Sequence, residues 1–369
     1  LMDTITSTSD DMTGKGGPAC YVVLLKTTEK SRADTLAVKL EYALTTDVWR
    51  TRKKRVMLLY ILNIVTPVFV LLLAGYVSVK AGVLSLDVID GLMKFCTHIA
   101  IPCLLFRATS TVDLGTAYDW QTIISYYVTA SICFGLAITV ARKHFFRRPG
   151  EAVAVGFSAL YSNLLMVGLP IVDRAFGEQA ASTTIAVVSL NAPVCYLLGI
   201  VVMESVRADG RSYRATAAIV VKAMFKNTLM IGIALGFLVN FSGFELPQFL
   251  SIPVDMMTSA ALPCALFGLG GLLARYALAE QLAESSVLSG VSLILSPIIA
   301  FLICTLFGVP ETSRNVVVLL AAIPPGLNAY LFASLYSRGL RTASSNVLIG
   351  TVLSVFSISF WLWMLLALG

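Results

Sequence analysis

The chain has 369 residues, of which 57% are hydrophobic and only 13% charged, with a mean hydropathy of +0.84 and a formal net charge of +6. Soluble domains carry about 25% charged residues, so this composition excludes a chain that coats itself with a water-facing surface. The basic residues fall in short clusters between apolar runs, a pattern that sets membrane topology and excludes a nucleic-acid-binding footprint.

Residues 1–56 are polar and end in the basic run Arg50-Thr51-Arg52-Lys53-Lys54-Arg55. That run would hold the end of the chain in the cytoplasm, against the charge bias of every later loop. We expect Met57 to be the natural start and 1–56 to be an upstream-translated or expression-derived extension; the alternative is a disordered cytoplasmic tail.

Ten apolar runs follow, at approximately 57–79, 88–108, 121–141, 152–175, 181–204, 217–239, 250–274, 287–308, 315–337 and 344–368. Each reaches the length of about 20 residues that carries a helix across a hydrocarbon core. The expected class is an all-α polytopic membrane protein in contact with the lipid bilayer. Arg142, Lys143, Arg147 and Arg148 form the densest basic cluster of this core. Placing them in the cytoplasm puts Lys80, Arg207, Arg211, Arg214, Arg275, Arg338 and Arg341 there too, and leaves Arg107, Arg174 and Arg314 opposite. Both ends of the ten-helix core then face outward.

The second and seventh runs contain AIPCLLF (100–106) and ALPCALF (261–267), 161 residues apart. At that offset Gly75 meets Gly236, Gly82 meets Gly243 and Thr97 meets Thr258, while Pro102 and Cys103 meet Pro263 and Cys264. One residue further on, Gly177–Ser182 resembles Gly339–Ser344. The expected organisation is a first five-helix repeat at 57–204, a short cytoplasmic linker at 205–216, and a second repeat at 217–369. Five is odd, so the second copy enters the membrane inverted, an architecture common among secondary transporters.

Two runs carry stronger breaks. The fourth contains Tyr161-Ser162-Asn163-Leu164, then Gly168-Leu169-Pro170; the ninth contains Ile323-Pro324-Pro325-Gly326-Leu327-Asn328. Proline lacks an N–H and clashes with the carbonyl four residues back. Broken backbone survives in a membrane only where protein or a watery cavity surrounds it. On the repeat offset Asn163 lies opposite Pro324, so the breaks are symmetry mates. One reading is a substrate site, where exposed helix N-termini and the Asn163 and Asn328 amides attract a carboxylate. The other is kinks satisfied by neighbouring helices, with the asparagines as interhelical glue. Pro102 and Pro263 are expected as matching helix kinks.

The residues NLLMVGLPIVDRAFG (163–177) and PPGLNAYLFASLYSRG (324–339), with AIPCLLF, resemble the auxin efflux carrier family of plant auxin exporters and bacterial malonate-type carriers. The similarity spans 57–369. It implies a ten-helix, five-plus-five fold in which helices four and nine cross at their breaks. It also implies a scaffold of helices 1, 2, 6 and 7 that forms a homodimer, and a transport unit of helices 3–5 and 8–10 that moves elevator-fashion. The resemblance assigns substrate-carboxylate contact to Asn163, beside Leu164, with Pro324, Pro325, Gly326 and Asn328 facing it; Gly168 and Pro170 shape the break. The short linker points to a bacterial-type carrier of mono- or dicarboxylates such as malonate or malate, in the bacterial inner membrane. Asp173-Arg174 departs from the apolar residues expected there.

His98, one turn after Lys94, is a possible proton-responsive group, or else a histidine hydrogen-bonded to a neighbouring helix. No buried acidic pair marks a proton or sodium site, so the coupling ion stays open. Six of the seven cysteines lie in apolar runs without metal-ligand spacing, and no cofactor or metal is expected. Only two histidines occur, with no HExxH and no phosphate-binding glycine loop, which argues against an enzyme. The alternatives to a carrier of this type are an anion channel, a transport-like sensor, or a sodium-coupled organic-anion carrier.

Overall fold

The computed structural model describes residues 32–112, 115, 118–206, 228–244, 246–275 and 282–368, with side chains from Arg55 to Ala367. The expected linker beyond Val206, the first half of the expected sixth run, and Arg207, Arg211, Arg214, Lys222 and Lys226 lie outside the described residues. The chain divides into two compact units, Leu1–Arg55 and Val56–Gly369. The first contributes only the helical residues from Arg32; everything below concerns the second.

The described regular structure is helical, apart from one isolated bridge between single residues. Helices α1 (Arg32–Lys80), α2 (Leu86–Thr111) and α3 (Trp120–Lys143) are followed by the pair α4 (Pro149–Leu160) and α5 (Leu169–Phe176). Then come α6 (Glu178–Val206), α7 (Thr228–Ser242), α8 (Gln248–Leu273) and α9 (Leu282–Leu306). A second pair of short helices, α10 (Glu311–Ala321) and α11 (Leu327–Leu335), precedes α12 (Leu340–Leu368). Seven of these stretches are long and apolar enough to cross a membrane: Arg55–Lys80 of α1, then α2, α3, α6, α8, α9 and α12. Their backbone groups bond within each helix, as a bilayer interior without water requires.

Three helical segments share one irregularity. Wide π-type turns occupy Cys96–Ala100, Leu164–Gly168 and Val291–Leu295, and in each case a proline is the second residue beyond. These prolines are Pro102, Pro170 and Pro297. Widening the turn moves the preceding carbonyls away from the proline ring, which would clash in a regular α-helix. Pro263 does not behave like Pro102, although the sequence reads them as equivalent kinks; it lies inside the uninterrupted α8. One difference is a partner. The Thr97 carbonyl, left without a donor ahead of Pro102, accepts the Thr228 hydroxyl at 2.8 Å. At the repeat offset Thr228 is replaced by Pro67, which has no hydroxyl to offer.

The two halves pack through matching contacts. A Cβ at Gly75 would overlap the Phe267 carbonyl, and one at Gly270 would overlap the Leu72 carbonyl. Exchanging halves at the 161-residue offset turns these pairs into Gly236 with Phe106 and Ile233 with Thr109. In the second set, a Cβ at Gly236 would overlap Thr109 and approach the Phe106 carbonyl to 2.6 Å, and the Thr109 hydroxyl donates to the Ile233 carbonyl at 3.4 Å. Small residues at such crossings let helix backbones meet without a side chain between them. Turns repeat likewise: Gly82 and Gly243 follow α1 and α7 at φ 72° and 64°, and Phe146 and Gly308 follow α3 and α9 at φ 53° and 66°.

Ion pairs tie both ends of α2 to α8 and the turn that follows it, with Arg107 to Asp255 at 2.8 Å and Asp90 to Arg275 at 2.7 Å. Near the other basic cluster, Arg147 grips the buried Glu284 through two nitrogens, and Thr342 donates to the same carboxylate at 3.1 Å. The Glu284 hydrogen bonds hold the Arg147 guanidinium above its ordinary pKa.

Candidate functional site

Helix α4 ends at Leu160 because Tyr161 is extended, at φ −107° and ψ 91°, and Asn163 leaves helical geometry at φ −80° and ψ 60°. Helix α10 ends just before Ile323-Pro324-Pro325, two consecutive residues of which have no N–H to continue a ladder. Gly326, extended at φ −80° and ψ 160°, then caps α11. The two interruptions meet. Asn163 N–H donates to the Pro324 carbonyl at 2.9 Å, and Gly326 N–H donates to the Tyr161 carbonyl at 2.8 Å, around an antiparallel bridge from Ser162 to Pro325. The pairing uses what the prolines leave available, one carbonyl and the next N–H, and so satisfies backbone that would otherwise be orphaned in hydrocarbon.

From this bridge two helical segments run away on opposite strands, one through the π turn at Leu164 and one from Leu327. Their first-turn N–H groups have no intrahelical acceptor by position, and both carry the positive end of a helix dipole toward the break. Leu164 is buried and its N–H closes onto the Ser162 carbonyl at 2.9 Å. Asn163 and Asn328 are half-buried, and both present neutral amides beside the bridge. The Asn163 side chain makes no capping bond, whereas the Asn328 oxygen accepts the Tyr196 hydroxyl at 3.4 Å. Gly326 is confined: a Cβ there would sit 3.3 Å from the Tyr161 ring and 3.4 Å from Asn163 N. Gly168 faces Leu320 at 3.2 Å by the same measure, which seats the π turn against α10.

Aromatic rings wall one side. Phe157 of α4 stacks on Phe332 of α11 at 3.9 Å and 8°, and Tyr161 meets Tyr196 edge-on at 5.8 Å. Polar side chains support the other. The buried Asn346 of α12 donates to the Ser158 hydroxyl of α4 and accepts Ser289 of α9 at 2.7 Å. A Cβ at Gly350 would lie 2.7 Å from Pro325, so α12 abuts the break directly.

The structure thus brings Asn163, Leu164, Pro324, Pro325, Gly326 and Asn328 into one place. His98 is not tied to it: the ring is exposed, and its Nδ1 lies 3.0 Å from both the Lys94 carbonyl and the Thr97 hydroxyl of its own helix. Asp173 and Arg174 are exposed at the end of α5. Sequence reasoning missed Tyr161, Tyr196, Ser158, Ser289 and Asn346. A signal existed for Asn346, a lone amide in an apolar run; the aromatic residues gave none.

The family described as membrane transport protein matches residues 60–362. A Rhizobium meliloti protein provisionally named a malonate transporter is 25% identical over 308 residues, covering 83% of this chain and 96% of its own length. An uncharacterized transporter of Methanocaldococcus jannaschii is 24% identical, covering 83% and 99%. An Arabidopsis thaliana auxin efflux carrier component is 21% identical over 338 residues, covering 80% and 93%.

Proposed function

The chain belongs to the membrane transport protein family, that of the auxin efflux carriers, and we propose that it is a secondary carrier of small organic acids. The observation that carries this reading is the hydrogen-bonded meeting of the two breaks, with two helix N-termini and two asparagine amides around it. A carboxylate fits there because the donors are all polar and neutral. Such donors stabilise an anion in a low-dielectric setting without the grip of a buried arginine, so the anion can also leave. The name of the Rhizobium meliloti relative favours a short dicarboxylate such as malonate.

In this reading the ten membrane crossings are α1, α2, α3, α4 with α5, α6, and their inverted counterparts from α7 to α12. The matched contacts Gly75–Phe267 and Gly236–Phe106 support a two-fold relation between the halves. One body is α1, α2, α7 and α8, held by those glycine crossings and the two ion pairs, and it serves as the dimeric scaffold. The other carries the bridge, locked by the Phe157–Phe332 stack and the Ser158–Asn346–Ser289 bonds. Because these bonds join α4, α9, α11 and α12, the site moves as one piece, which suits elevator-type transport. The core sits in the plasma membrane with both ends outward.

The test is uptake of labelled malonate and other organic acids into proteoliposomes, beside Asn163→Ala. Saturable uptake lost in the variant supports the carrier and its site; unitary currents would support a channel instead.

A further inference from the structure

The loop from α3 to α4 holds an aromatic ring away from the rest of the protein. Phe146 is 87% exposed, more than any other large apolar side chain among the described residues. Its backbone is left-handed at φ 53°, a conformation that a bulky residue rarely adopts. The matching turn after α9 places Gly308 there at φ 66°, where no side chain is strained. The loop itself is firmly held. Arg147 N–H donates to the Ala141 carbonyl at 3.0 Å, and the Arg147 guanidinium grips Glu284 through two nitrogens. Phe146 therefore combines backbone strain with an exposed ring, and the ring joins no part of the apolar core.

Two features of the surroundings indicate what receives it. Along α3, a helix long and apolar enough to cross a membrane, Ile132, Leu136, Thr139 and Lys143 are all exposed. Their three- and four-residue steps put them on one face, so the loop stands at the end of a face turned toward lipid. Around the ring, Arg142, Lys143 and Arg148 are exposed, and no acidic residue lies between Ala141 and Gly150. Arg147, the remaining cation of the loop, is taken by Glu284.

We propose that this loop is an anchor for anionic phospholipid. Phe146 enters the boundary between headgroups and acyl chains, and Arg142, Lys143 and Arg148 reach the phosphates. Aromatic rings are favoured at that depth, and cations beside it are attracted to an anionic surface. Removing the ring from water offsets the strain at its backbone, which nothing within the protein does. The loop charges assign this face to the cytoplasm, so the lipid belongs to the cytoplasmic leaflet. The opposite face is built differently: Gly308-Val309-Pro310 carries neither an aromatic ring nor a cation.

The experiment places the full chain in nanodiscs and has two arms. In the first, Phe146→Trp is compared with the parent in phosphatidylcholine discs whose acyl chains are brominated. The added fluorescence of the variant is expected to lose most of its intensity to the bromines. Quenching by aqueous iodide instead, with the brominated chains without effect, would overturn the proposal. In the second, melting is compared between phosphatidylcholine discs and discs of two parts phosphatidylcholine to one part phosphatidylglycerol. A lipid bound by the folded protein raises its melting temperature. That rise is expected to be at least halved in Arg142→Gln with Lys143→Gln and Arg148→Gln, whereas a purely structural role would lower melting equally in both discs. An undiminished rise in this triple variant would overturn the proposal. So would an equal rise of the parent with inorganic phosphate in phosphatidylcholine discs, which would mark a site for a free anion.

Discussion

The backbone N–H of Asn163 donates to the carbonyl of Pro324 at 2.9 Å, joining residues 161 apart in the chain through the only bridge-type pairing among the described residues. Neither break is stable alone in hydrocarbon. Each supplies the donor or acceptor that the other lacks, and the proposed substrate site is built on that mutual need.

Crowding this bridge is expected to abolish transport without unfolding the protein. Gly326→Val places branched bulk against the Tyr161 ring and Asn163 N, where even a Cβ is tight. Malonate uptake is expected to fall at least tenfold while the variant still elutes as the parent does on size exclusion.

The glycine crossings lead to a paired stability result. Gly75→Ala must displace the Phe267 backbone, and Gly236→Ala must displace Thr109 and the Phe106 carbonyl. Overpacking of this kind costs about 1–3 kcal/mol, so both variants are expected to melt lower in detergent. Gly91→Ala, with open space around it, is the control and is expected to melt as the parent does.

Glu284 is 4% exposed at its side chain and depends on Arg147 and Thr342 for its bonds. Arg147→Ala strands that carboxylate, and breaking a buried pair in this way costs about 3–5 kcal/mol. Arg147→Met with Glu284→Leu removes both charges and is expected to melt above the single variant. By contrast Arg107→Ala, at a pair that is more than a third exposed, is expected to shift stability by less than about 1 kcal/mol.

Much of this architecture is legible in the residues. Apolar run lengths locate the seven described helices that are long and apolar enough to cross a membrane, out of ten runs expected, and Pro324-Pro325-Gly326 announces its own break. The 161-residue register that aligns Pro102 with Pro263 also pairs Gly75 with Gly236, whose packing is matched in the structure. The same register does not foretell that a π-type turn precedes Pro102 and not Pro263, with the Thr228 hydroxyl on the freed Thr97 carbonyl. That is a tertiary property, as is the wall of Phe157, Tyr161, Tyr196 and Phe332 around the break. Such rings come from distant segments and carry no local pattern.

The most direct test of the central claim is malonate uptake by Asn163→Ala, measured in proteoliposomes beside the parent at matched protein density. Loss of saturable uptake, with melting temperature unchanged, is the predicted result. Uptake by the variant at the parent's rate and half-saturation would contradict a carboxylate site at the Asn163–Pro324 bridge.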